Sequence, residues 1–286
     1  MAWGACFVAI RWGLRDAPIL WFATLRAGLA GAALLLVARA RGSVSIEPSR
    51  WPLVAALGLV NGTIAFAAMF GGVAGLATGT AAVLANAQPL LILLPAWWLY
   101  GEAVRLRTAV GLVVGFSGLL VVALPGGGGS GAGLSLVSAA AITAGTLLAR
   151  RLGDVDLVAA SGWHFVVGVA GLAAWAAAVE GAPQIDWTPR FVTSLAFLAL
   201  VGTAAAFLVW FTETLRCPLG TLAAWTFLVP VAGVVLAALL LGEAPTGWTA
   251  AGVALVLAPL WVAVHPGARR AAQPQPAPEE PEPSLP

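Results

Sequence analysis

Charge is what this sequence has least of. Of 286 residues, 14 are basic and 12 acidic, 9% of the chain, where soluble domains carry about 25%. A soluble domain of about 300 residues leaves roughly a quarter of its chain surface in water, and so few charges cannot cover it. The composition excludes a soluble enzyme, a disordered chain and a secreted disulfide scaffold. Lysine is absent, so every basic residue is arginine, and a net charge of +2 gives no footprint for nucleic acid. The two cysteines, Cys6 and Cys217, lie far apart in apolar surroundings with neither metal-ligand spacing nor a disulfide framework. No metal and no cofactor is expected. Catalytic and energy-coupling motifs are missing as well. No Gly-Lys-Ser/Thr follows the Gly run at 126–129, and the sequence holds no His-Glu-x-x-His, Gly-x-Ser-x-Gly or paired mid-span aspartates. An ATP-driven pump within this chain and an intramembrane enzyme are both disfavoured.

What remains is hydrophobic: 60% of the residues, with mean hydropathy +0.96. A spanning helix needs about 20 mostly apolar residues. Such stretches lie near 1–14, 17–38, 52–72, 76–100, 106–124, 132–150, 156–179, 190–212, 218–241 and 247–264. The expected fold is an all-α polytopic membrane protein of ten transmembrane helices. Pro125 to Gly131 reads as a Gly-rich tether, and 266–286, rich in Pro and Glu, as a disordered tail. Positive charge in short loops faces the cytoplasm. Arg39, Arg41, Arg50, Arg105, Arg107, Arg150, Arg151, Arg216, Arg269 and Arg270 all fall on one side of this arrangement. The expectation is a multi-pass inner-membrane protein with both termini in the cytoplasm, its partners a small-molecule substrate and the lipid bilayer, and its state monomeric.

Sliding the chain against itself by 141 residues aligns 55–126 with 196–267 at 23 identities in 72 positions. The matches include Phe66 with Phe207, Phe70 with Phe211, Gly79-Thr80 with Gly220-Thr221, and Pro89 with Pro230. Gly101-Glu102-Ala103 also matches Gly242-Glu243-Ala244. Each copy holds five spans, an odd number, so the second enters the membrane upside down, as the arginines also require. The boundaries are 1–124 for the first repeat and 132–265 for the second. Inverted repeats place a site near the midplane at their interface, worked by alternating access. The counterpart of span 6 would begin about nine residues before Met1, so span 1 reads as short at its cytoplasmic end.

Two five-helix halves, each with Pro in its fourth helix and Gly-Glu closing that helix, resemble the EamA-type transporters of the drug/metabolite transporter superfamily. The opening Trp3-Gly4 stretch and Arg26 in the second helix are similar to that family's pattern. The resemblance implies export of small metabolites or drugs from the cytoplasm, and extends to the family's aromatic amino-acid exporters. The first helix departs from the small multidrug relatives, which carry a Glu there; this one has no carboxylate.

Polar groups inside a membrane are costly and mark function by default. Asn61, Asn86 and Gln88 offer amides that can hold both ends of a zwitterion. Thr143, Thr146, Thr203 and Thr226 sit at mid-span, and His164, with Trp163 beside it, lies in the inner half of span 7. Thr203, Phe207, Trp210 and Thr214 share one helical face, Phe66 and Phe70 hold the equivalent places in span 3, and Trp3 and Trp225 add rings. Together these form the candidate substrate wall. Pro89 and Pro230 are candidate hinges. Arg26, Glu102 and Glu243 read as structural, Arg26 locking helices and the glutamates capping or pairing at span ends. With no Asp or Glu at mid-membrane, a carboxylate proton relay is disfavoured. The reading is a secondary exporter of small neutral metabolites, foremost aromatic or hydrophobic amino acids. The alternatives are a multidrug or cationic-compound exporter and, less favoured because only Arg26 supplies a cation, a sugar-nucleotide or organophosphate exchanger.

Overall fold

In hydrocarbon a chain must satisfy its own backbone hydrogen bonds, and no strand occurs among the described residues. The computed structural model describes the backbone of residues 2–91, 110, 113–115, 117–118, 120–121, 130–152, 155–209 and 228–264. The helices are α1 (Ala2–Gly13), α2 (Ile19–Ala40), α3 (Pro48–Gly75), α4 (Thr78–Ala85), α5 (Gln88–Leu91), α6 (Ser130–Ala149), α7 (Leu157–Val179), α8 (Pro189–Val209), α9 (Leu228–Leu241) and α10 (Gly247–Val264). Five of these, α2, α3, α6, α7 and α8, are long and apolar enough to cross a membrane. Most of the fifth expected span and the tail at 266–286 lie outside the described residues.

Two boundaries differ from expectation. The span at 76–100 does not begin as one helix: α4 ends at Ala85 and α5 starts at Gln88. Pro89 has no N–H to offer the carbonyl of Ala85 and disfavours helical backbone just before it. The stretch read as a tether up to Gly131 yields to helix at Ser130, because Gly131 packs on α3. A Cβ added there would lie 2.7 Å from the Gly75 carbonyl carbon.

Glycines set the close approaches. Leu35, Gly31 and Gly28 of α2 face Gly162, Phe165 and Val169 of α7 in that order, so the two helices run antiparallel. Gly79 and Ala82 of α4 meet Ala237 and Gly233 of α9 in the same opposed sense. Gly58 and Gly62 of α3 run parallel to His164 and Gly168 of α7. In lipid no hydrophobic drive holds helices together, and small residues that let backbones approach supply dispersion contact instead.

Helix ends are tied by carboxylates. Glu180, just past α7, accepts from the Leu20 and Trp21 amides at the start of α2 (2.9 and 3.1 Å), where free N–H groups and the helix dipole favour an anion. Asp156 caps α7 through the Val158 and Ala159 amides, and Thr188 caps α8 through the Phe191 amide. Asp16, between α1 and α2, takes a bidentate pair from Arg190 of α8 at 2.8 and 2.6 Å.

The Arg190 guanidinium holds the Asp16 carboxyl below the usual carboxylate range. A depressed folded pKa stabilises above the unfolded value, about 3.9, and that stability is lost as pH falls through the depressed one. Thermal unfolding in detergent is therefore expected to lose stability below about pH 4, and Asp16→Asn is expected to flatten this acid limb. Gly168→Ala places a Cβ 2.7 Å from Gly62 Cα. Overpacking of this kind costs about 1–3 kcal/mol, readable as a lower apparent Tm.

Candidate functional site

Two stretches of π-helix prepare the site. Gly58–Ile64 in α3 and Phe197–Ala205 in α8 are both π-helical. Shifted by 141 residues the first falls on 199–205, inside the second. A π turn is rare, frequents functional sites and rotates the residues after it relative to a regular helix. Within α8, Thr203 Oγ1 donates to the Leu198 carbonyl five residues back, at 2.8 Å. Asn61 lies in the α3 stretch, and both residues project toward α2 or α7.

Arg26 of α2 is 4% exposed. Its Nε donates to Thr203 Oγ1 at 3.1 Å, and its guanidinium carbon sits 4.6 Å from the centre of the Phe66 ring and 5.7 Å from that of Phe70. Ring faces attract cations, but they offer no hydrogen-bond acceptor of carboxylate strength. Among the described residues its buried NH1 nitrogen has no hydrogen-bond partner, and no carboxylate pairs with it.

Beside this cluster, His164 of α7 is buried and stacks on Phe165 at 4.1 Å. Its Nδ1 donates to the Ala160 carbonyl at 3.3 Å, which leaves Nε2 to accept from the Asn61 amide at 3.4 Å. Phe165 joins the clusters, 5.4 Å from Phe66 and 5.6 Å from Phe207. Gly145 of α6 lies against the Asn61 side chain, and the next residue, Thr146, accepts from Gln88 of α5 at 2.8 Å. Arg26, Phe66, Phe70, His164 and Thr203 thus share one buried region with the half-buried Asn61 and Phe207, and Gln88 and Thr146 lie at its edge.

Other candidates lie differently. Thr143 bonds its own helix at Ala139, and the Asn86 amide folds back to the Ala82 carbonyl, closing α4. Trp163 donates its indole N–H to the Val44 carbonyl and packs on Trp51, tying α7 to the loop after α2. Trp3 is half-buried at the start of α1, packed against the core. Pro230 is buried in α9, and Pro89 lies in α5 with its side chain outside the description. Trp210, Trp225, Thr226 and Glu102 lie outside the described residues.

Sequence reasoning passed over two features and the partners of a third, since it read Glu243 only as a cap or pair at a span end. Phe165 carried no signal except its place after His164. The π stretches leave no mark in periodicity, although both lie within the aligned repeat. The third is a polar cluster at the end of the bundle that holds the α1–α2 loop. Gly242, at φ +69°, ends α9 in left-handed backbone and turns Glu243 back onto α4. There Glu243 accepts from the Thr78 hydroxyl at 2.7 Å and the Gly79 amide at 3.3 Å. Arg11 of α1 donates to Thr78 Oγ1 at 3.0 Å and to the Leu76 carbonyl, with its Nε 4.0 Å from Glu243.

The sequence profile of the EamA-like transporter family matches twice, over residues 1–124 and 129–264. The chain is 28% identical over 260 residues to the uncharacterized transporter YvbV of Bacillus subtilis, covering 89% of this chain and 85% of that protein. It is 27% identical over 285 residues to a probable amino-acid metabolite efflux pump of Salmonella typhimurium, covering 92% and 91%. A solved crystal structure of a protein shares the fold at a TM-score of 0.70, with 22% identity over 95% of both chains.

Removing Glu243 strips the start of α4 of its anion. Glu243→Ala is expected to cost about 1 kcal/mol, the usual worth of a cap. Gly242→Ala is expected to cost about 1–2 kcal/mol from left-handed backbone alone, both read as shifts of apparent Tm.

Proposed function

The chain belongs to the EamA-like transporter family, and from that premise we propose that it exports amino acids with aromatic or hydrophobic side chains from the cytoplasm. It is a membrane transporter and not an enzyme. The substrate class is carried by one observation. Buried polar groups on α2, α7 and α8 (Arg26, His164 and Thr203), with the half-buried Asn61 of α3, meet the rings of Phe66, Phe70, Phe165 and Phe207. Amide, imidazole and guanidinium suit the charged ends of a zwitterion, and the rings suit its apolar side chain. A cationic drug would call for an acid at this depth, and among the described residues none stands there. The name of the Salmonella relative points the same way.

The pairing of equivalent helices supports alternating access. The second helices of the two halves, α2 and α7, lie antiparallel, as do α4 and α9, which supports halves of inverted orientation. With both termini cytoplasmic, Asp16–Arg190, Glu180 on α2 and Glu243 on α4 all lie at the external end. Each ties one half to the other. This state is then closed outward, and release requires those three ties to open.

The test is uptake of labelled amino acids by liposomes holding the purified protein, with and without a pH gradient. Aromatic amino acids are expected to move down their gradient without acceleration by protons. Asn61→Ala and Phe207→Ala are each expected to lower transport about tenfold, the equivalent of one interhelical-strength contact. Failure of every amino acid to move would remove this reading.

A further inference from the structure

We propose that Arg26 is the anchor for the carboxylate of the transported molecule. The inference deepens the amino-acid reading and rests on it for the identity of the rest of the substrate. A guanidinium carries five N–H donors in a rigid fork matched to a carboxylate. Here Nε is committed to Thr203, the face is covered by Phe66 and Phe70, and NH1 meets no acceptor among the described residues. A link between α2 and α8 explains the Nε bond. It does not explain the charge, since a neutral donor such as glutamine would join the same helices. A buried cation without a counter-ion is among the least favourable arrangements a membrane interior can hold. It persists where a partner arrives in the course of function.

The surroundings define that partner. It carries an anionic group small enough to reach NH1 between α2 and α8, and an apolar portion that lies along Phe66, Phe165 and Phe207. The rings link the cation to the other polar groups: Arg26 lies over Phe66, Phe66 is 5.4 Å from Phe165, and Phe165 is 4.1 Å from His164, which the Asn61 amide joins. A carboxylate at Arg26 therefore leaves the opposite end of the molecule toward Asn61. The orientation is fixed by charge in one half only, because the residue equivalent to Arg26 in the second half is Val167.

The experiment compares three probes of one shape on the purified full chain: L-phenylalanine, 3-phenylpropionate, which lacks the ammonium, and L-phenylalaninamide, which lacks the carboxylate. Protection against thermal unfolding gives an apparent affinity for each, first on the unaltered protein and then on Arg26→Met and Arg26→Lys. The two acids are expected to protect and the amide to fail. Arg26→Met is expected to weaken the acids about ten- to a hundredfold, the worth of a charge-assisted hydrogen bond, while its ligand-free apparent Tm does not fall. Arg26→Lys is expected to retain part of the preference. Equal protection by amide and acid on the unaltered protein overturns the anchor, with no variant needed. A ligand-free apparent Tm that falls in Arg26→Met while the preference for acid survives assigns Arg26 to helix locking and overturns it too. Protection by 3-phenylpropionate through Arg26, with no amino acid moved in liposomes, sinks the amino-acid reading and leaves the anchor standing. Amino acids moved equally well by Arg26→Met do the reverse.

Discussion

The seam between α2 and α7 carries the rest of the structure. Nothing apolar drives two helices together in lipid, so a stable pair needs surfaces that approach closely over their whole length. Gly162 receives Leu35, and Gly31 receives Phe165 so tightly that a Cβ would stand 3.0 Å from Phe165 Cβ. Both ends of the seam are pinned: Glu180 holds the first amides of α2, and Trp163 holds the Val44 carbonyl beyond its last turn. With sliding and rotation removed, Arg26 and Phe165 occupy fixed depths, and the rings and hydroxyls of α3 and α8 assemble around them. The same seam joins equivalent helices of the two halves, which makes it the natural pivot of the proposed rocking.

Much of the fold was legible because the bilayer makes each span declare itself. Charge is expensive across about 20 residues, so α2, α3, α6, α7 and α8 stand out as long, mostly apolar runs. Boundaries differed at Pro89, where the missing N–H splits the helix expected from the apolar run, and at Ser130, where packing decided. Nothing in Ser130-Gly131 distinguishes a helix start from a tether until Gly75 is seen against it.

The site was legible by type and less so by partner. Counting mid-span polar groups found Asn61, His164 and Thr203, which the structure brings to one region. It also raised Asn86 and Thr143, whose side chains turn back on their own helices. That choice between backbone and neighbour depends on which groups stand within hydrogen-bond reach, which spacing alone does not encode. Arg26 read as a lock because a sequence shows a cation without showing whether an anion faces it. The π stretches stayed hidden for a related reason. An inserted residue shifts a helical face locally, and in segments apolar on all sides no polar stripe records the shift.

The repeat also shows where symmetry had to be broken. Phe66 and Phe207 are equivalent and flank Phe165 from the two halves at nearly equal distances. An apolar ligand sees much the same wall from either side. An amino acid is not symmetric, and a site made only of paired residues would hold it in two orientations of similar energy. Arg26 faces Val167 under the 141-residue shift, and His164 faces Ala23. The polar residues are thus the ones that the duplication does not share. In the proposed site the rings would supply the volume common to both halves, and the unshared cation, imidazole and amide would choose one orientation within it. In a fold built by repeating itself, specificity has to come from the positions where the two copies have diverged.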